Sequence, residues 1–232
     1  MLLRIRRDKQ ESRRADDSYF VKEIFACMDE RIRKAIFNLQ KNNMAGFYVE
    51  NKNELLSLLS KLLVEGERIG CGDSVTLEET GVFEYLRNGN FTFYDKHQLN
   101  LTSEEKRILY LKNFDSDTFF TGTNAITADW KLFNIDGNGS RVAPMIYGPK
   151  QVIVVVGINK LVDTVEDAIR RARQIAAPLH AKRLNKNTPC VRLGRCIDCK
   201  HEQRICNDFV LISRQFSKDR IKVIFINGNY GY

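Results

Sequence analysis

The stretch QVIVVVGINK, residues 151–160, decides how the chain folds. From Val152 to Val156 it is continuously apolar, with none of the alternation of a strand that has one wet face. Such a run reads as a strand covered on both faces, as in a parallel sheet. It is far too short to cross a bilayer. The chain on either side supplies the covering elements. RIGCG, FTFYD and DTFFTG upstream, and DFVLISRQF and RIKVIFING downstream, read as further strands. Between them lie helical patterns: NKNELLSLLSKLLVEGE with Asn53 as N-cap, TLEETGVFEYLRNG opened by a Thr76–Glu79 capping box, TSEEKRILYLKNF opened by Thr102–Glu105, and TVEDAIRRARQIAAPLHAKRL. Strands alternating with helices at short spacing predict an α/β fold with three layers, a mainly parallel twisted sheet covered by helices.

Ahead of this lies YFVKEIFACMDERIRKAIFNLQK, whose apolar residues recur at i, i+3, i+4 and i+7 and predict a long amphipathic helix. Residues 1–18 are polar, charged and without period, and read as a disordered lead-in. The expected division is therefore a helical extension over 1–43 and an α/β domain over 44–232, with MAGFYVE as the break between them.

The 232 residues, 43% hydrophobic and 28% charged, have an ordinary globular balance and can bury a core without staples. The N-terminus is basic but has no apolar stretch after it, so it is not a secretory signal, and a cytoplasmic location is expected. The net charge of +8 is concentrated. Ten Lys and Arg lie between Arg170 and Cys206, against Asp198 and Glu202 alone. No aromatic residue interleaves with them as stacking on single-stranded nucleic acid requires. A solvated helix face or an anionic small molecule is the expected counterpart, with no nucleic acid and no membrane.

In an open α/β sheet, ligands sit beyond the carboxyl ends of the strands, so the loops leaving the strands are the candidate site. GCGDSVT offers Gly70, Gly72 and Ser74 near a helix N-terminus. TGTNAIT offers Thr121, Gly122, Thr123 and Asn124. NIDGNGSR offers Asn134, Asp136, Gly137, Gly139 and Arg141, with two turn signals in succession where a plain hairpin uses one. GINK offers Gly157, Asn159 and Lys160. Arg141 and Lys160 are the cations expected to hold a carboxylate or phosphate, and Arg141→Ala is expected to remove that binding while leaving the fold intact. Asp73 and Asp136 are the carboxylates expected at the rim. No catalytic residue is assigned: His97, His180 and His201 have no acid and hydroxyl in a recognisable arrangement along the chain.

Cys27 and Cys71 read as small buried hydrophobes. The other four cysteines form PCVRLGRCIDCKHEQRICN, a C-x5-C-x2-C-x6-C spacing over Cys190, Cys196, Cys199 and Cys206. The C-x2-C pair is a metal-knuckle spacing, and four thiolates suit zinc or an iron–sulfur cluster. The outer spacings match no standard finger, so four free oxidisable thiols remain the alternative, and His201 could replace one ligand. Disulfides are disfavoured in a reducing compartment.

Taken together, TGTNAITADWKLFNIDGNGSRVAPMIYGPKQVIVVVGINKLV, AAPLHAKRL, the cysteine loop and the closing GNYGY resemble the lactate-utilisation (LUD) family, from about Met44 to Tyr232. The resemblance implies a fold like that of the sugar-phosphate isomerase, deaminase and CoA-transferase superfamily. It implies a component of L-lactate oxidation to pyruvate, working beside iron–sulfur partner subunits; a homo-oligomer is a further expected assembly. The glycine usual in the hairpin turn is replaced here by Trp130, after Asp129, and the indole is expected to pack on the surface or against a partner. The catalytic glutamate of CoA-transferases has no counterpart. No dinucleotide fingerprint is present, so oxidation would need an external electron acceptor. The alternatives are a non-enzymatic partner-binding subunit with a structural metal, and an isomerase or transferase acting on a sugar phosphate.

Overall fold

The structure is a computed structural model and describes residues 29–232. The first part of the expected N-terminal helix, with Cys27, and the whole lead-in lie outside the described residues. The parallel sheet is present. It has six strands in the order β1–β10–β7–β4–β2–β3: β1 Ala45–Val49, β2 Arg68–Cys71, β3 Thr92–Phe93, β4 Thr118–Thr121, β7 Gln151–Gly157 and β10 Ile221–Ile226. Every pairing within it is parallel.

β7 lies in the middle of this sheet, between β10 and β4. Its side chains divide by parity, as the two-residue period of a strand dictates. Val152, Val154 and Val156 enter one core, with Phe119, Ile221, Val223 and Phe225. Ile153 and Val155 enter the other, with Phe120, Ile224 and Ile226. All five β7 residues are fully buried, which is why no polar residue interrupts the run. At about 1.5–3 kcal/mol for each such side chain, this strand pair anchors the molecule.

One core is closed by helices: α2 Lys52–Leu62, α3 Val75–Glu79 and α4 Val82–Asn88, through Leu55, Leu59, Leu77, Val82, Phe83 and Leu86. The other is closed by helix α1 (Glu30–Lys41) and by a second, four-stranded mixed sheet. That sheet runs β8–β5–β6–β9: β5 Ala125–Thr127, β6 Leu132–Asp136, β8 Leu161–Val162 and β9 Asp208–Ile212. The quoted hairpin is therefore β5–β6, antiparallel as its turn residues require. DFVLI pairs antiparallel with β6 rather than joining the main sheet. Helix α7, Val165–Arg171, packs outside this small sheet through Ala168, with Ala172 just beyond its end, against Ala125, Phe133 and Ile135.

Several local readings change. MAGFYV is an edge strand, not a break, because β10 gives it a parallel partner from Ala45 to Val49. Ile32, Ala35, Ile36 and Leu39 of α1 share a core with β7, so from Ile32 onward the expected extension packs into the α/β unit. Asn51, not Asn53, caps α2, its side chain accepting from Glu54 N. Ser74, not Thr76, caps α3. Helix α5, Ser103–Lys112, carries the expected Thr102–Glu105 capping box. Trp130 occupies the left-handed region at φ 102°, which explains why glycine suits this turn. Its indole packs against the β7 core rather than standing free, and its N–H donates to Ser213 O. No helix among the described residues is long and apolar enough to cross a membrane.

Candidate functional site

The carboxyl ends of β2, β4 and β7 converge, as the loop reading requires, on a cavity of about 500 Å³. The small sheet adds the β6 end, and helix α8 (Ala177–Arg183) closes one side. Of the loop residues singled out in the sequence, Ser74, Gly122, Thr123, Asn124, Asp136, Gly137, Arg141 and Lys160 line it. Gly70, Gly72, Thr121, Asn134, Gly139, Gly157 and Asn159 do not; they stand behind the lining. Gly72 is there for space: a Cβ on it would meet Arg141 Cγ at 2.8 Å.

Arg141 is only 8% exposed, and its four terminal N–H donors face protein. Nη1 donates to Gly122 O at 3.3 Å and Asn134 Oδ1 at 2.5 Å; Nη2 donates to Asn124 Oδ1 at 3.1 Å and Ile135 O at 2.8 Å. The guanidinium thus ties the β4 loop to β6. Asp136 is likewise engaged. Its Oδ2 accepts from the backbone N–H of Arg141 and Val142, both at 3.0 Å, and its Oδ1 from Gly137 N at 2.9 Å. This caps the short helix α6, Val142–Ile146, in the manner of an N-cap carboxylate. Asn159 staples the tail: Nδ2 donates to Gly231 O, and Oδ1 accepts from Tyr230 N.

Lys160 is different. It is 4% exposed and lines the cavity, and its Nζ donates to Thr76 Oγ1 at 2.7 Å. Among the described residues no carboxylate lies within ion-pair distance of it. Burial, with Arg171 and Arg141 adding repulsion, pushes its ammonium down to about 7. Gly231, at φ 61°, passes so close that a Cβ would stand 2.6 Å from Thr76 Oγ1.

The opposite side was not legible along the chain. Lys96, Tyr110, His180, Lys186, Arg204 and Tyr232 all line the cavity. Lys96 is also without a carboxylate in ion-pair range among the described residues, and burial lowers its pKa. Asp73 reaches the rim as expected, but with partners: His180 Nε2 at 3.5 Å and the Arg183 guanidinium. Burial disfavours its charge, yet Lys96, Arg183, His180 and His97 outweigh that and hold it below the ordinary carboxylate value. Burial lowers the pKa of His180 as well, against the opposing pull of Asp73. His180 faces the cavity because residues 172–176 form a π-helical turn just before α8. Pro178 lacks the N–H that would continue the ladder, and the wide turn absorbs that interruption. A π turn in a helix with Pro178 is the one local sign that could have drawn attention to His180.

The four cysteines of the 190–206 loop all line a second, small void of about 20 Å³. None is disulfide-bonded. His201 does not line it; its Nδ1 accepts from Gln203 N instead. Ala177, Arg204 and Ile205 belong to both linings, so the void and the large cavity share a wall.

Among solved structures, a DUF162 family protein from Deinococcus radiodurans is similar over 86% of this chain and 97% of its own, at 14% identity and a TM-score of 0.49. eIF2B beta from Chaetomium thermophilum is similar over 50% of this chain and 44% of its own, at 11% identity and a TM-score of 0.34. Ribose 5-phosphate isomerase A from Methanocaldococcus jannaschii is similar over 49% and 55%, at 19% identity and a TM-score of 0.29. No curated protein matches the chain. The model of the LUD domain matches residues 32–226, from the first buried residue of α1 to the last residue of β10, and the chain belongs to the LUD domain family.

Proposed function

We propose that this protein binds a small carboxylate, a 2-hydroxy or 2-oxo acid, in the strand-end cavity, and serves as a component of L-lactate oxidation to pyruvate. The observation that carries the reading is Lys160, buried at the cavity with no carboxylate in ion-pair range among the described residues, whereas Lys96, half-buried on the same cavity, has Asp73 acting on it as a counter-charge. A buried ammonium without a counter-charge is costly, and an anionic ligand supplies the missing partner. Membership of the LUD family supports lactate as the acid. Lys186 and Arg204 add positive potential at the mouth.

Within such a complex, Lys160 holds the carboxylate by a charge-assisted hydrogen bond. His180, beside Asp73 at 3.5 Å and with its pKa lowered by burial, is the group in the cavity suited to take the proton of the 2-hydroxyl. Conversion of lactate to pyruvate also breaks the C2–H bond, and with it a second proton and two electrons must leave. Their acceptor belongs to a partner, in keeping with iron–sulfur subunits that work beside members of this family. The Arg141 network, Asn124 and Gly122 fix the floor against which the ligand lies.

Thermal unfolding with lactate, pyruvate, inorganic phosphate and ribose 5-phosphate tests the reading. Lactate or pyruvate should stabilise by about 2.7 kcal/mol at a hundred times its dissociation constant. Lys160→Met should lose that response. Stabilisation by the phosphates alone would reassign the site to phosphorylated ligands, and no response to any of the four would end the proposal.

A further inference from the structure

The cysteine loop is not used by the anion cavity, yet it is the densest set of soft ligands in the molecule. Cys190, Cys196, Cys199 and Cys206 come from one end of helix α9 (Pro189–Leu193) and from the irregular chain that follows it. Chain 194–207 has no helix or strand to hold it, and still all four residues border one void. The turn between Cys196 and Cys199 reverses through Asp198, which sits in the left-handed region at φ 54°. Cys196 Sγ accepts from Asp198 N at 3.4 Å and from Arg173 Nη2 at 3.7 Å, and Cys190 Sγ lies 3.2 Å from Thr188 Oγ1. Arg204 holds the far end, donating to Cys199 O at 2.6 Å and Cys206 O at 2.9 Å.

We infer that these four cysteines form a tetrathiolate site for a single thiophilic divalent ion, zinc being the ion whose chemistry they fit. Three features carry this. Four sulfur ligands with a C-x2-C knuckle are the donor set of closed, structural zinc sites. Such a site carries a net double negative charge, and Arg173 and Arg204 stand beside the sulfurs to offset part of it, both also paired with Asp198 at 3.1 and 3.4 Å. The void, about 20 Å³, has the size of one small occupant, since a single water needs roughly 10–15 Å³. Among the described residues no three His, Cys, Asp or Glu groups already stand at ligating distances, so binding draws the sulfurs inward by rotation of these half-buried cysteine side chains. The ion would then staple a segment that has no core of its own, and would fix the Arg204–Ile205 wall shared with the anion cavity.

The test uses the full chain, purified under reductant and reconstituted with zinc alone, and reads metal by mass spectrometry. About one zinc per chain is expected, with cobalt substitution giving the thiolate charge-transfer bands of a tetrahedral sulfur site. Cys199→Ser should weaken zinc binding by at least tenfold. If that variant does not fold, cobalt titration of the wild-type apoprotein decides alone. Iron with equimolar acid-labile sulfide would overturn the single-ion assignment in favour of a cluster. Absence of stoichiometric metal, or a cobalt spectrum lacking thiolate bands, would overturn the site altogether. None of these readouts depends on the anion cavity, so failure here leaves the proposed function standing, and the reverse.

Discussion

Two cations face the same cavity and have opposite surroundings. Arg141 donates to four oxygen partners from the β4 loop and from β6. Lys160, equally buried, has the Thr76 hydroxyl alone. Both sit in loops that the sequence marks as ligand-facing, and a guanidinium is the better anion fork by chemistry. What separates them is how much of their hydrogen-bonding capacity the fold has already consumed. A buried cation whose four terminal donors are met by protein is part of the frame; one left with a single neutral partner is available to a ligand.

The comparison breaks most visibly at Arg141. Arg141→Met would take the guanidinium from Asn134 Oδ1, Asn124 Oδ1 and Ile135 O inside the protein, and should cost about 3–5 kcal/mol, beyond an isolated lost hydrogen bond. Urea unfolding with an unchanged m-value measures it. A loss below about 1 kcal/mol would mean that the network is incidental. Lys160→Met is the counterpart. It should leave stability unchanged or raised, because a desolvated charge is removed, while lactate or pyruvate affinity falls by tenfold or more.

Acidity sharpens the same contrast. Lys160 has a folded-state pKa of about 7, below its value in the unfolded chain. Below pH 7 both states carry the proton and the burial penalty is present in full. Between about pH 7 and 10 the unfolded state binds the proton and the folded state does not, so stability rises with pH, by at most about 1.4 kcal/mol per unit. Anion affinity runs the other way, since the ligand needs the ammonium. It should be greatest below pH 7 and weaken by up to tenfold per unit above it. Both slopes should vanish in Lys160→Met; a wild-type affinity that is flat from pH 6 to 9 would remove Lys160 from the site.

The parts of this picture that could be read along the chain are those set by local chemistry. The five buried residues of β7 announce a two-faced sheet, and Thr102 with Glu105 announces a helix start that the structure contains. The loops at Thr121–Asn124 and at Lys160 could be placed at strand ends because strand direction fixes which end of a parallel sheet they share. The rest depends on partners far away in sequence. AGFYV is a strand only because β10 lies beside it, some 175 residues later. Nothing around Lys96 or His180 says that they face one cavity; that follows from where their segments pack. Nor could a sequence show how far the hydrogen-bonding capacity of Arg141 and Asp136 is spent within the fold, because their partners are carbonyls, amides and two asparagines with no signature of their own.

Asp73→Asn is the smallest and most discriminating change. Asp73 is the cavity carboxylate nearest His180 and Arg183, and it opposes any anion entering the site. Removing its charge while keeping its shape should tighten binding of lactate or pyruvate two- to fivefold, about 0.4–1 kcal/mol, as expected for a partly screened charge at the edge of a wet cavity. The gain should shrink with added salt, whereas the Lys160→Met loss, made at a direct contact, should not. Arg183 and His180 lose their counter-charge in the same variant, so His180 should titrate at lower pH than in the wild type, which NMR of the ring protons can follow. Weaker anion binding in Asp73→Asn would mean that the carboxylate orders the site rather than merely opposing charge, and that the frame extends across the cavity from Arg141 to the wall of α8.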